Sequence, residues 1–167
     1  MTRSKILTFL AAAAAVLLVP ASAAAASPSA TSSRQATVKV AHTDLGRILV
    51  DSRGRTLYLF KHDSGTRSRC FGECAVDWPP LRASGKPTAG RGAHASLLGT
   101  TKRSDGRPQV TYNGHPLYRF QGDAKAGATN GQGINAFGGL WWVVSPSGKQ
   151  ITSRGSTHGG GNGYNGP

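Results

Sequence analysis

Short runs in which apolar and polar residues alternate recur along the chain, separated by glycine, proline and small polar residues. This is the period-two signature of half-buried β-strands. It predicts strands over Thr37 to Ala41, Arg47 to Ser52, Gln109 to Tyr112 and Leu140 to Val144. In the run LYLF, Tyr58 and Phe60 fall on one face and Leu57 and Leu59 on the other; in LYRF, Tyr118 and Phe120 oppose Leu117 and Arg119. Arg119 marks the second Leu face as partly wet, so the aromatic face is the better candidate for the core. A buried tyrosine there needs a partner for its hydroxyl. No stretch carries a long helical period, and 23 glycines and nine prolines weigh against one.

The alternation repeats itself at long range. VDSRGRTLYLFKHD, Val50 to Asp63, aligns without gaps on VTYNGHPLYRFQGD, Val110 to Asp123, with Val, Gly, Leu, Tyr, Phe and Asp recurring. Each copy holds a β-prone run, a turn at Arg53-Gly54 or Asn113-Gly114, and a second β-prone run. Asn-Gly between such runs is a strong hairpin signal, because both residues tolerate positive φ. Each copy then leads through a polar or glycine-rich loop to tryptophan, at Trp78 and at Trp141-Trp142. The expected fold is mainly β: antiparallel sheets from two related β-hairpin repeats packed as one small domain.

The Tyr-x4-Asp pattern with Phe two residues after Tyr occurs twice, at Tyr58, Phe60, Asp63 and at Tyr118, Phe120, Asp123. On these residues, with CFGECAVDWPPL and YNGHPLYRFQGD, the sequence resembles the bacterial secreted-repeat family of predicted lipoproteins with a Yx(FWY)xxD motif. The resemblance covers nearly all of the expected domain. It implies secretion and assigns no catalytic residue, since that family's function is unknown. The lipobox cysteine of a lipoprotein is not found here.

The two ends read differently. Residues 1–26 place Arg3 and Lys5 before an Ala-rich apolar run ending in small residues, the layout of a cleaved signal peptide. A membrane anchor needs about 20 apolar residues and a stop-transfer flank, so no stable membrane insertion is expected after cleavage. Residues 27–36 read as a flexible linker and 152–167 as a disordered glycine-rich tail, both too polar to repay the entropy of ordering. Between them, residues 37–151 form the duplicated β domain, with repeat one over about 37–100 and repeat two over about 101–151.

Formal charge is +13, or +11 once Arg3 and Lys5 leave with the leader. Such a balance favours polyanions outside the cell, whether wall polymers, phospholipid head groups or stray nucleic acid, although a generally solvated basic surface is the plainer reading. The cations are scattered and no nucleic-acid motif accompanies them, so specific nucleic-acid binding is not expected.

Candidate chemistry is sparse. Cys70 and Cys74, four residues apart in an exported chain, fit a structural disulfide shaping the loop before Trp78. The alternative is a redox or copper pair with His62 or His94 as a third ligand, although C-x3-C differs from the spacing of thioredoxin-like sites. Asp63 and Asp123 raise the question of a catalytic carboxylate pair. Their repeated position before a loop favours accepting backbone amides and anchoring that loop. The motif residues are therefore read as structural, with a possible binding role. No catalytic residue and no cofactor is assigned. The expected function is a non-enzymatic, exported cell-envelope protein that binds anionic surface polymers; redox or copper handling through the Cys pair is the alternative. The oligomeric state is left open.

Overall fold

The computed structural model describes residues 35–153, all within one compact unit. The expected signal peptide, most of the expected linker and nearly all of the expected tail lie outside the described residues. Alternating runs become strands where they were expected: β1 (Thr37–Thr43) and β2 (Gly46–Asp51) form an antiparallel pair. After the Arg53-Gly54 turn comes β3 (Tyr58–Phe60), then a loop, the one-turn helix α1 (Glu73–Asp77) and β4 (Thr88–Ala89), which pairs in parallel with β1. The second repeat opens with β5 (Leu98–Lys102), β6 (Pro108–Tyr112) and β7 (His115–Pro116), successive antiparallel neighbours. A long loop leads to β8 (Asn135–Ala136) and β9 (Gly139–Val143). The fold is mainly β, in three small sheets ordered β2-β1-β4, β3-β9-β8 and β5-β6-β7.

Strand β9 of repeat two pairs with β3 of repeat one, so the halves are laced together rather than stacked. At the centre, Tyr58 and Tyr118 exchange both backbone hydrogen bonds: Tyr58 N–H donates to Tyr118 C=O at 2.9 Å and Tyr118 N–H to Tyr58 C=O at 3.0 Å. Equivalent residues paired antiparallel with each other define a local two-fold axis relating the repeats.

Two expectations need correction. The aromatic face of LYLF is buried, but the Leu face is equally so: Leu57 is 0% exposed and Leu59 2%. Strand β3 runs between two cores. One joins Leu57 and Leu59 to Val38, Leu49, Val110 and Leu117; the other joins Tyr58 and Phe60 to Trp78, Tyr118 and Trp141. Arg119, in place of the second copy's Leu, reaches the edge of the Leu side and ion-pairs with the buried carboxylate of Asp51 at 2.8 Å. Burial alone would raise the Asp51 carboxyl, but the Arg55 amide and the Arg119 and Arg55 guanidiniums hold it below the ordinary carboxylate range.

The second correction concerns Val50 and Val110, which an ungapped alignment makes equivalent. Leu57 N–H donates to Leu49 C=O, whereas Leu117 N–H donates to Val110 C=O. Val110 is thus the partner of Leu49, and Val50 belongs to the opposite core. The turn after β2 spans three residues, Ser52 to Gly54, against the two-residue Asn113-Gly114 turn, whose φ values of 49° and 78° are those that Asn-Gly favours. The preceding turn compensates, with Asp44-Leu45 in repeat one and Ser104 to Gly106 in repeat two. Since a one-residue slip moves every side chain to the other face, two opposite slips leave the motif aligned and only β2 displaced against β6.

Trp78 and Trp141 lie at the heart of the aromatic core, stacked at 4.0 Å between ring centroids and 1% and 0% exposed. Trp141→Ala is expected to lower the free energy of unfolding by about 4 kcal/mol, and Trp78→Ala by a similar amount. Because the two rings touch, the double variant should cost less than the sum of the singles. Guanidinium unfolding of the three variants measures this.

Candidate functional site

The repeated motif builds a crossed lock. Tyr58 Oη donates to Asp123 Oδ2 at 2.7 Å, and Tyr118 Oη donates to Asp63 Oδ2 at 2.8 Å, so each repeat's hydroxyl serves the other repeat's acid. The second oxygen of each acid holds its own loop. Arg69 N–H donates to Asp63 Oδ1 at 2.8 Å and Asn130 N–H to Asp123 Oδ1 at 2.9 Å. Both carboxylates are therefore committed to internal donors rather than facing one another across a cleft. Burial pushes each up to about 6, and the hydroxyl and amide donors offset only part of that rise. The tyrosines move upward too, through burial first and the facing carboxylate second.

Around this lock four rings form one stack, Phe120, Trp78, Trp141 and Phe60, with centroid spacings of 4.3, 4.0 and 4.0 Å. Each Phe lies on the other repeat's Trp. Tyr58 meets Trp78 edge-on at 5.3 Å and Tyr118 meets Trp141 at 5.1 Å, completing the two-fold pattern. Such offset and edge-on pairs add about 1 kcal/mol each beyond the area they bury.

The symmetry breaks in the loop after Asp63. Cys70 and Cys74 are disulfide-bonded and both buried, closing a loop that turns through Gly72 into α1. His62, the residue considered with them as a copper ligand, instead lays its ring against Phe60 at 5.7 Å. Among the described residues no three His, Cys, Asp or Glu side chains are grouped to hold a metal.

Sequence reasoning missed the residue that ties this loop down. Arg103, 5% exposed, follows β5 and sends its guanidinium inward, donating to Ser68 Oγ and Gln109 Oε1, both at 2.7 Å, and to Cys70 C=O. Its face lies 5.0 Å from the Phe71 ring centroid. Ser68 Oγ–H in turn donates to Tyr118 Oη at 2.8 Å, the tyrosine's own proton being given to Asp63, and this links Arg103 to the lock. The guanidinium has only neutral acceptors; its Nε is buried without a hydrogen bond, the Asp105 carboxylate standing 4.0 Å away. In the sequence, TKRSDGR reads as a run of solvated turn cations. Continuing the strand alternation one residue past Lys102 would have turned Arg103 inward.

Outside this buried arginine lies a depression of about 500 Å³ whose walls include Arg67, Arg69, Lys102, Ser68, Ser104 and Phe71. Arg67, Arg69 and Lys102 form no ion pair among the described residues. The arrangement concentrates positive charge over a floor containing serine hydroxyls, a combination suited to an anion and supplying no nucleophile–base pair.

A family model described as a secreted repeat of unknown function matches residues 39–82 and 99–145, one match on each half of the two-fold. The chain belongs to that secreted-repeat family. Neither a curated protein nor a solved structure gives a significant match. As a member of the secreted-repeat family the protein is secreted, and none of its described helices is long and apolar enough to cross a membrane. The two matched segments hold both Tyr-x4-Asp motifs, both tryptophans of the stack, the disulfide and Arg103.

The raised carboxyls give the secreted-repeat fold a pH signature. Asp63 and Asp123 hold a proton more tightly when folded, near 6, than in the unfolded chain, at about 3.9. Their contribution to stability is largest below the unfolded value and declines as pH rises through 6. His115, pushed down by burial and by Lys61, works oppositely: its contribution is present above about 6.5 and lost as pH falls through its folded value. Melting temperature is expected to fall as pH is raised from 4 to 6, and Asp123→Asn should remove about half of that slope. Calorimetry of both proteins across the window measures it.

Proposed function

We propose that this secreted protein is a non-enzymatic cell-envelope module that binds anionic surface polymers through the basic depression beside the disulfide loop. The observation that carries the reading is the convergence of Arg67, Arg69 and Lys102, without carboxylate partners among the described residues, over the buried guanidinium of Arg103. The charge of +11 left after Arg3 and Lys5 go with the leader adds long-range attraction, which raises the encounter rate and fades with salt. Specificity belongs to the depression, where the disulfide and Arg103 hold Ser68 and Phe71 in place before any ligand arrives. A preorganised site spends less of its binding energy on ordering side chains.

Purified cell wall provides the test. The chain lacking residues 1–26 should be retained at low ionic strength and released as salt rises. Replacing Arg67, Arg69 and Lys102 together by Ala should shift release to much lower salt. Replacing exposed Lys86, Lys125 and Lys149 removes the same charge elsewhere and should leave release near the native position. No retention at low salt removes the binding claim. Equal shifts in the two triple variants would replace the depression by undirected surface charge.

A further inference from the structure

The four-ring stack ends differently on its two sides. At one end Phe60 is 2% exposed, with Gly139 close against its ring and the solvent-facing imidazole of His62 beside it, tilted by 44° at 5.7 Å. At the other end Phe120 is only half-buried. The residue matching His62 by symmetry, between Gln121 and Asp123, is Gly122. A β-carbon at Gly122 would collide with the Phe120 ring, so this end leaves no room for a side chain where the first repeat carries the His62 imidazole. What remains is a pocket of about 250 Å³, walled by Trp78, Phe120, Gly122, Ile134, Ala136 and Phe137.

A second, independent feature points to the same pocket. Phe137 and Gly138 form the two-residue turn between β8 and β9, with φ of 54° and 85°. Asn is the residue such a turn favours at its first position, and a bulky side chain held at positive φ is strained. Local strain of this kind persists where the surroundings require it, and is concentrated at binding and active sites. Here the strained residue is an aromatic ring forming a wall.

We propose that this pocket binds a small planar aromatic molecule, one or two fused rings bearing a hydroxyl, as the fifth ring of the stack. The ring would lie against Phe120, with Phe137 as a side wall. Asp77 and Gln121, which also border the pocket, give the hydroxyl polar neighbours at the rim. Size sets the limit: the volume lies below the usual range of about 300–1,000 Å³ for small-molecule sites, so a single small ring system fits and a polymer chain does not. This site uses none of the cations of the basic depression, and its ligand is held without net charge.

Neutral 2-naphthol is a direct probe, titrated into the isotopically labelled chain lacking residues 1–26 and followed by NMR. Saturable shifts confined to Gly122, Phe120, Phe137 and the Trp78 indole, unchanged by added salt, are expected. Decahydro-2-naphthol, of the same skeleton without a π face, should bind at least about tenfold more weakly if stacking contributes. Phe137→Asn restores the favoured turn residue while deleting the wall; it should melt within a few degrees of native and lose about tenfold in 2-naphthol affinity. Absence of saturable shifts in the native protein overturns the proposal. So does equal binding of the saturated analogue, or undiminished affinity in a folded Phe137→Asn. Should Phe137→Asn melt far below native, the contrast between 2-naphthol and its saturated analogue on the native chain decides the matter alone.

Discussion

Two inward-turned carboxylates, Asp123 buried and Asp63 half-buried, each satisfied by the other repeat's tyrosine, are the constraint from which the rest of the structure follows. A carboxylate removed from water without donors is costly, and loss of one partner exposes that full cost. Asp63 and Asp123 each receive one backbone amide locally and one hydroxyl from across the axis. The exchange forces Tyr58 and Tyr118 to lie back to back, and their mutual backbone bonds fix the axis. With that axis set, the phenylalanines two residues on must land on the opposite repeat's tryptophans. The four-ring stack is thus a geometric consequence of the lock, and its dispersion and edge-on contacts then reinforce it.

Duplication supplies the frame, and departures from duplication supply the chemistry. Where repeat one has a disulfide-closed loop, repeat two has a glycine-rich one. Where β1 ends in Thr43 before its turn, β5 is followed by the inward Arg103, which joins the disulfide loop to Gln109. His62 is matched by Gly122. Each difference lies outside the paired Tyr and Asp residues themselves, and each changes what the surface offers: fixed positive charge on one side, a half-buried ring on another. A symmetric lock at the centre lets these edges vary while every buried polar group of the lock stays paired.

Much of this was legible in the residues. Alternation located β1, β2, β6 and β9, Asn113-Gly114 announced a hairpin, and the doubled Tyr-x4-Asp pattern announced two related halves. Alternation assigns a residue to a face but says nothing about which strand that face meets, so the exchange between repeats was out of reach. The burial of Leu57 and Leu59 was obscured by Arg119, a charge that pairs with Asp51 rather than dissolving in solvent. Two compensating turn lengths hid the displacement of β2 against β6, since the motif beyond them returned to register. Arg103 escaped because a cation among other cations and turn residues reads as surface, and only tertiary contacts reveal which of several is buried. The aromatic pocket is walled by residues far apart in the chain, Trp78, Phe120 and Phe137 among them, and only the tertiary fold brings those walls together.

The crossing of the lock also bears on which parts of the fold each half can build from its own residues. Repeat one precedes repeat two, yet its acid acceptor, its ring partner for Phe60 and the strand that pairs with β3 all belong to the later half. The first half can therefore form the β2-β1-β4 sheet from its own strands, but β3, the Tyr58 hydroxyl and the Phe60 ring have their partners only in the second. The interlock thereby makes the completed aromatic core a property of the two halves together and of neither alone.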